Sequence, residues 1–301
     1  MREACYVVEF ASGRVSRRPE VAAAVAWQHR VETPAASLFA VELGQGRPLL
    51  FLHGVTASAF VWRPVMERLS GRYRAVAIDQ RGHGRSRLRR DGRFDADACA
   101  RDVTDVAAAL RAGPVVLVGH SLGARNAIVA AAARPDLVAG VVAIDFTPFI
   151  APAVFDALDA RVGGGARTFR DAAEVTTYLS ERYPRLSSDA VARRARYGYA
   201  PDAHGQFRPL ADARAMLATC VGLRADLARD LTALSVPALL VRGADSTFVS
   251  DAAFEATRAL RPDLRAVVVA GADHYVPEEQ PGPVAQLVGE FAAEVFEGSS
   301  G

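Results

Sequence analysis

The chain has 301 residues, of which half are hydrophobic and 23% are charged, and its formal net charge is +2 at pH 7. The basic side chains are all arginine, and their small excess over the acidic ones does not favour a nucleic-acid partner. A chain of this length can bury a sizeable core without disulfide bonds, and its three cysteines are widely spaced. We therefore expect a globular enzyme of the reducing cytoplasm.

The sequence offers no strong signal for export, for a membrane or for a cofactor. Twin arginines in SRRPEVAAAVAW precede an apolar run of only about seven residues, which is at the lower limit for a signal peptide. No apolar run reaches the roughly 18 residues that a membrane span requires. Neither a metal-ligand spacing nor a G-x-G-x-x-G dinucleotide loop occurs. We therefore expect no metal and no organic cofactor.

Short apolar runs alternate with helical patterns along most of the chain. The predicted strands lie in the segments PLLFLHG, YRAVAIDQ, VVLVGHS, VAGVVAIDF, PALLVRG and RAVVVAGADH. Such continuous apolar strands, separated by helices, predict a mostly parallel sheet with helices on both faces. About ninety residues separate the fourth run from the fifth, and they have the pattern of short helices between Gly and Pro clusters.

These patterns predict one core with an insertion. The expected parts are an N-terminal arm or added edge strand at 1–35, an α/β core at 36–148 and 230–297, a helical cap at 149–229 and a tail at 298–301. Within the cap, the segment ARRARYG is interpreted as the charged, solvated face of a helix. A homodimer is one of the oligomeric states compatible with this composition.

The segment VGHSLGA holds a serine between two glycines at the end of a predicted strand. In a strand-turn-helix with the pattern G-x-S-x-G, the glycines allow close backbone approach, so the serine side chain is presented at the carboxyl edge of the sheet. The helix that follows points its amide groups and the positive end of its dipole at the same place. We predict Ser121 as a nucleophile and the Leu122 N–H as one oxyanion donor; the alternative is a plain β-α turn.

Two further segments argue against a plain β-α turn at Ser121. FLHGVTASAFVW ends a predicted strand with His-Gly, and the N–H of the next residue, Val55, is placed to be a second oxyanion donor. AIDQRGHGRS follows the next predicted strand. In this order, the three motifs make the chain resemble the α/β-hydrolase fold family over nearly its whole length. The resemblance implies a mostly parallel central sheet flanked by helices, with an inserted helical cap.

A serine nucleophile needs a base, usually a histidine that is oriented by a carboxylate. Six histidines are present, and only His274, in VVVAGADHYVPEE, follows the last predicted strand. We therefore predict His274 as the base. His53 and His83 belong to the loop motifs, and His120 fills the position beside the nucleophile with its side chain directed elsewhere. His29 lies in the arm and His204 in the cap.

Two aspartates compete for the third position of the triad. Asp245 follows the penultimate predicted strand, where many hydrolases of this fold keep their acid, usually three residues after the glycine; here that place is taken by Ser246. Asp145 ends the strand that follows the nucleophile strand, and its carboxylate can reach the base from there. Both preserve the order Ser, Asp, His. We favour Asp145, with Asp245 as a loop or capping residue.

A narrower resemblance rests on GHSLGARNA, VVAIDFTPFI, LDARV, ERYPRL, GYAPDAHGQFRPLA and VAGADHYV. Across the core and the cap the chain is similar to the (E)-2-(acetamidomethylene)succinate hydrolases of bacterial vitamin B6 degradation. The resemblance implies that the triad acid is at Asp145 and the oxyanion donors are at Val55 and Leu122. It also implies that Arg161, Arg182 and Tyr183 bind the two carboxylates of a small-molecule substrate.

The predicted activity is therefore that of a serine hydrolase that cleaves an amide or ester-like bond of a small carboxylate through an acyl-enzyme. An alternative is a carboxylesterase or enol-lactonase that acts on another small acidic substrate with the same triad. A ligand receptor that retains the triad but turns over slowly is a third hypothesis. Fold alone does not separate these activities, because the cap shapes the pocket.

Overall fold

The structure is a computed structural model that describes residues 6–8, 27–88 and 92–298. The twin-arginine segment, most of the predicted arm and most of the predicted tail lie outside the described residues. The strands are β1 (Tyr6–Val8), β2 (Trp27–Glu32), β3 (Ala36–Leu43), β4 (Arg47–Leu52), β5 (Tyr73–Ile78), β6 (Arg87–Leu88), β7 (Val115–His120), β8 (Val138–Ile144), β9 (Tyr199–Pro201), β10 (Phe207–Pro209), β11 (Ala238–Gly243) and β12 (Arg265–Val269).

The α-helices of the described residues begin and end as follows: α1 (Arg63–Leu69), α2 (Ala96–Ala109), α3 (Leu122–Ala133), α4 (Pro152–Gly163), α5 (Ala172–Arg182), α6 (Ser188–Gly198), α7 (Ala213–Gly222), α8 (Ala228–Ala233), α9 (Asp251–Leu260), α10 (Val276–Glu279) and α11 (Pro281–Gly298). Short 3-10 helices span Ala59–Trp62 and Pro135–Leu137.

One large sheet has the strand order β1-β12-β11-β8-β7-β4-β5-β3-β2, with β6 paired to β3. The pairs from β1 to β5 along this order are parallel, whereas β3 is antiparallel to β2, β5 and β6. All six predicted strands are present in it, and the predicted α/β-hydrolase fold is confirmed. Because β7, β8 and β12 are parallel, their carboxyl ends meet at one edge of the sheet.

Strand β7 explains why the apolar runs are continuous. Every one of its residues is buried. Leu117 packs into the cluster on the α2, α3 and α8 side, whereas Val116 and Val118 pack into the cluster on the α1 and α11 side. A central parallel strand is covered on both faces, so alternation of apolar and polar residues is lost.

Between β8 and β11 the chain leaves the sheet and forms α4 to α8 and a separate hairpin of β9 and β10. Helices α5, α6 and α7 begin where the side chains of Asp171, Ser187 and Asp212 accept hydrogen bonds from the backbone amides three residues ahead. Helices α4 to α8 agree with the pattern of short helices that the sequence predicts for this segment. The hairpin is an addition to the predicted all-helical cap, because its three-residue strands carry almost no periodic signal.

Candidate active site

Ser121 lies at the junction of β7 and α3 with φ 53° and ψ −117°, in the left-handed region that side chains rarely adopt. The two flanking glycines allow this turn. A Cβ on Gly119 would lie 2.2 Å from the Gly123 carbonyl oxygen, and one on Gly123 would lie 2.1 Å from the Leu52 carbonyl oxygen. Any larger residue at either glycine would therefore force the backbone apart and move the serine.

His274 lies in the loop between β12 and α10 and contacts the serine. Its Nε2 is 3.2 Å from Ser121 Oγ, and its Nδ1 is 2.7 Å from Asp145 Oδ2. The Asp145 side chain is fully buried. The three side chains thus form a hydrogen-bonded chain with the geometry that activates a serine hydroxyl.

The Asp145 carboxylate is held by two further donors. Its Oδ2 accepts a hydrogen bond from Ser246 Oγ at 2.7 Å, and its Oδ1 accepts one from the Gly243 amide at 3.2 Å. Asp145 itself has φ 52°, which turns the chain out of β8 directly after the strand. The competing Asp245 is half exposed and accepts a hydrogen bond from Arg185 at 2.7 Å, away from the base.

The predicted oxyanion donors border the serine from two sides. Gly54 approaches so closely that a Cβ on it would lie 3.3 Å from Ser121 Cβ. Among the described residues, none accepts a hydrogen bond from the amide of Val55 or of Leu122. Two unpaired amides beside a serine are available to a developing negative charge.

A histidine fixes the loop that carries Val55. The next residue, Thr56, has φ 62°, and its amide donates to His83 Nε2 at 3.2 Å. His83 Nδ1 in turn donates to the Arg81 carbonyl oxygen at 3.0 Å, so the ring is neutral. Burial lowers the pKa of His83 to about 4, which keeps this arrangement neutral at physiological pH.

His120, beside the nucleophile, donates from Nε2 to the His274 carbonyl oxygen at 2.7 Å. Burial, reinforced by the nearby His274, lowers the pKa of His120 well below its ordinary value. His120 therefore supports the backbone of the predicted base as a neutral ring.

Arg161 and Arg182 form a reciprocal pair between α4 and the end of α5. Arg161 Nη2 donates to the Arg182 carbonyl oxygen at 2.8 Å, and Arg182 Nη2 donates to the Arg161 carbonyl oxygen at 2.6 Å. No acidic side chain of the described residues forms an ion pair with either arginine. Two guanidinium charges are thus held together without a protein counter-ion.

The interpretation of ARRARYG as a solvated helix face is wrong for Arg194. This residue of α6 is 6% exposed, and its Nε donates to Glu278 Oε2 at 2.9 Å. Burial disfavours its charge, but the Glu278 carboxylate raises the Arg194 pKa above its ordinary value. The partner lies 84 residues further along the chain, so nothing in the local sequence marks this arginine as buried.

Tyr183 lies among these cations. The guanidinium carbons of Arg194 and Arg161 lie 4.3 and 5.0 Å from the centre of its ring, which meets the Tyr275 ring edge-on at 5.0 Å. Burial acts to raise the pKa of Tyr183, but the charges of Arg194, Arg182 and Arg161 together lower it to about 8.

Ser121 and His274 open into a cavity of about 370 Å³, part of it continuous with solvent, which we call the triad cavity. Arg161, Arg182 and Arg194 line it. Its other lining residues are Gly54, Val55, Thr56, Ala57, His120, Leu158, Val162 and Tyr275. The cavity therefore combines a serine nucleophile geometry with a strongly cationic wall.

The part of the chain that the structure describes holds neither a metal-binding cluster nor a membrane-spanning helix. Within those ranges, no group of three or more His, Cys, Asp and Glu side chains is arranged to hold a metal ion. No helix that the structure describes has the length and apolar character needed to cross a bilayer.

The chain belongs to the alpha/beta hydrolase family, which it matches over residues 49–287. It is therefore a hydrolase, and its resemblance to one group of that family is confirmed. A 2-(acetamidomethylene)succinate hydrolase from Mesorhizobium japonicum is 45% identical over 276 residues, which cover 90% of this chain and 99% of that protein.

Solved structures agree with this relationship. The crystal structure of an E-2-(acetamidomethylene)succinate hydrolase matches with a TM-score of 0.86 and 44% identity, and the match covers 89% of this chain and 100% of that chain. An esterase from Mycobacterium tuberculosis is more distant, with a TM-score of 0.74 and 26% identity over 89% of this chain and 92% of that one.

Proposed function

We propose that this hydrolase cleaves the amide bond of a small N-acyl enamide that carries two carboxylates, as the name of its relative from Mesorhizobium japonicum describes. The observation that carries the proposal is the pair Arg161 and Arg182, two arginines that line the triad cavity and have no counter-ion among the residues that the structure describes. A hydrolase of neutral esters would gain nothing from such a pair. A carboxylate satisfies a guanidinium through two parallel charge-assisted hydrogen bonds.

Acylation begins at Ser121. His274 Nε2 accepts the hydroxyl proton while Oγ attacks the acyl carbonyl carbon, and Asp145 stabilises the imidazolium that forms. The N–H groups of Val55 and Leu122 bind the oxyanion, and loss of one such donor typically costs about 3 kcal/mol of transition-state stabilisation. The intermediate then collapses, the C–N bond breaks, and the proton passes from His274 to the leaving nitrogen.

The leaving group is well matched to this simple machinery. In an enamide conjugated to a carboxylate, the electron pair left on nitrogen is delocalised into the unsaturated acid, so a histidine suffices as the general acid. Arg161, Arg182 and Tyr183 would bind the carboxylates of this group, and the positive field of the two arginines favours the negative charge that it develops.

Deacylation repeats the attack with water. His274 accepts a proton from water, the resulting hydroxide oxygen adds to the acyl carbon, and the same two amides bind the second oxyanion. Collapse breaks the bond to Ser121 Oγ, which recovers its proton from His274. The free carboxylic acid then leaves.

Comparison of matched substrates tests the proposal. Acetate release is measured for (E)-2-(acetamidomethylene)succinate, for its dimethyl ester and for neutral p-nitrophenyl acetate. Because two carboxylates are removed from the charged wall, we expect kcat/KM to be roughly 100-fold or more lower for the dimethyl ester. Equal values for the diacid and its dimethyl ester would contradict the proposal.

The same panel, extended to acidic esters and enol-lactones, tests the carboxylesterase and lactonase hypothesis. That hypothesis gains support if one of these compounds is hydrolysed faster than the enamide. Very low turnover of every compound, with ligand-dependent protection of the cap in hydrogen exchange, would instead indicate a receptor. Cytoplasmic location and a homodimer stay predictions, which cell fractionation and sedimentation of the purified protein would test.

A further inference from the structure

A second cavity adjoins the triad cavity beneath the cap, and we call it the outer chamber. It has about 690 Å³ of empty space, part of it continuous with solvent. Thr56, Ala57, Val162, Arg182 and Arg194 line both cavities. Arg182 therefore borders both, whereas Arg161 belongs to the lining of the triad cavity.

The outer chamber is lined by a residue whose buried hydroxyl has no hydrogen-bond partner among the described residues. Tyr178 OH has almost no solvent exposure, and no group of the described residues forms a hydrogen bond with it. A buried hydroxyl without a partner is destabilising relative to a satisfied one. Such a group in a cavity wall indicates a bound polar partner.

The surroundings of Tyr178 are cationic. The guanidinium carbon of Arg182 lies 5.6 Å from the centre of its ring, and that of Arg167 lies 5.0 Å from it. Phe169 packs against the same ring at 5.0 Å and fixes its orientation. A partner for the hydroxyl at this place would therefore be an acceptor, and an anionic acceptor would be favoured.

Gly165 borders the Tyr178 hydroxyl and the Arg182 guanidinium. A Cβ on this residue would lie 3.4 Å from Arg182 Nη2, from Tyr178 OH and from the Val162 carbonyl oxygen. Both groups thus border the space above one glycine. Gly163, the last residue of α4, faces open space, because a Cβ there would meet no atom within 4 Å.

We propose that Tyr178 OH and Arg182 form a subsite in the outer chamber for the carboxylate that lies farther from the scissile bond. The inference rests on the proposed function, and it assigns the two carboxylates of the proposed substrate to different cavities. The carboxylate conjugated with the enamide stays with Arg161 in the triad cavity, and the one on the methylene arm reaches past Arg182 to Tyr178. Tyr178 is then a specificity-determining residue, and the enzyme accepts a diacid whose arm is one methylene longer.

The test compares two substrates that differ only in the distal carboxylate: (E)-2-(acetamidomethylene)succinate and 3-acetamido-2-methylacrylate. For Tyr178→Phe and for Gly165→Ala, we expect KM for the diacid to rise about tenfold, because one hydrogen bond to a charged group is lost or obstructed. KM for the monoacid should change less than about twofold. Gly163→Ala is the matched control and should leave both values at those of the wild type. Thermal unfolding of each variant verifies that it folds.

Equal changes for the two substrates, or no change in Tyr178→Phe, would overturn the subsite while leaving the proposed function intact. Failure of the wild type to hydrolyse the diacid would instead overturn the proposed function, and this inference with it. The glutarate homologue gives a second readout. Its kcat/KM should stay within about tenfold of the succinate value. A much larger loss would contradict a distal subsite that accommodates one additional methylene.

Discussion

Ser246 Oγ donates a hydrogen bond to Asp145 Oδ2 across 2.7 Å. Ser246 occupies the place after the penultimate strand where many hydrolases of this fold have their acid, and here it supports a carboxylate from the neighbouring strand instead. Its oxygen also accepts hydrogen bonds from the amides of Phe248 and Val249 at 3.2 and 3.0 Å. The hydroxyl is thus fully satisfied, and its proton is directed at the acid.

The choice between the two aspartates is tested by amide substitution. Asp145→Asn should lower kcat by about 10⁴, because an asparagine beside Nδ1 stabilises the wrong tautomer of the histidine. Asp245→Asn should leave kcat within about twofold of the wild type, since an exposed ion pair contributes little. Steady-state acetate release measures both variants. A large loss in Asp245→Asn alone would mean that the predicted acid is the wrong one.

Ser246→Ala removes one donor from the acid and leaves two amides without an acceptor. We expect kcat to fall about tenfold and the protein to lose about 1–2 kcal/mol of stability. Ser250→Ala is a suitable control because Ser250 caps α9 away from the site, so stability should fall by about 1 kcal/mol while kcat is retained. The positioning role of Ser246 is refuted if both variants keep full kcat.

Substitution of the reciprocal arginines should affect binding more than chemistry. For Arg161→Gln or Arg182→Gln, KM for the diacid should rise roughly 10- to 100-fold, because a charge-assisted hydrogen bond is worth about 1.5–3 kcal/mol. Arg170→Gln, which alters an exposed pair with Glu174 on the same cap, is the control. An unchanged KM in both arginine variants would remove the main support for a dicarboxylate substrate.

The buried pair of Arg194 and Glu278 should behave asymmetrically. Glu278→Gln leaves a buried guanidinium without its counter-ion and should cost about 3–5 kcal/mol in urea unfolding. The double replacement Arg194→Met with Glu278→Leu removes both charges and should recover much of that loss. If the single variant is as stable as the wild type, the pair does not hold α6 to α10, the helix that follows the loop of the predicted base.

Acid sensitivity follows from the buried histidines. His83 has its pKa lowered by burial to about 4, against about 6.5 when unfolded. Between these pH values the unfolded chain binds more protons, so the free energy of unfolding falls as pH drops from 6.5 to 4, by about 3 kcal/mol for this residue. His83→Gln should flatten that part of the pH profile.

Asp79 changes the free energy of unfolding with pH in the opposite direction, since burial raises its pKa to about 6. Ionisation of Asp79 therefore costs stability as pH rises from about 4 to 6. For this reason the urea midpoints of the His83 variant and the wild type are compared at each pH. Parallel profiles for the two proteins would show that His83 carries no such proton linkage.

The sheet was predictable because its strands are marked by local composition. Continuous apolar runs that end in Gly, Asp or His identify β7, β8 and β12, and parallel pairing then brings the residues after them to one edge. This reasoning anticipated that Ser121, Asp145 and His274 lie together, although their catalytic roles stay predictions. The choice of Asp145 over Asp245 as the acid depended on the path of a loop, and the periodicity of apolar residues does not predict that path.

The cap was less predictable because its chemistry depends on contacts between distant segments. Arg194 looks like its exposed neighbours in ARRARYG, and only its pairing with Glu278 shows that it is buried. Tyr178 has no motif at all. Its importance comes from an unsatisfied hydroxyl beside Gly165, a property of packing that a single sequence does not contain.

Rapid quench of the enzyme with (E)-2-(acetamidomethylene)succinate, followed by mass spectrometry of its peptides, tests the central claim most directly. The account predicts one added acetyl group on the peptide that contains Ser121, which appears before steady state, and neither adduct nor acetate release in Ser121→Ala. Acetate release by Ser121→Ala at the wild-type rate would contradict it.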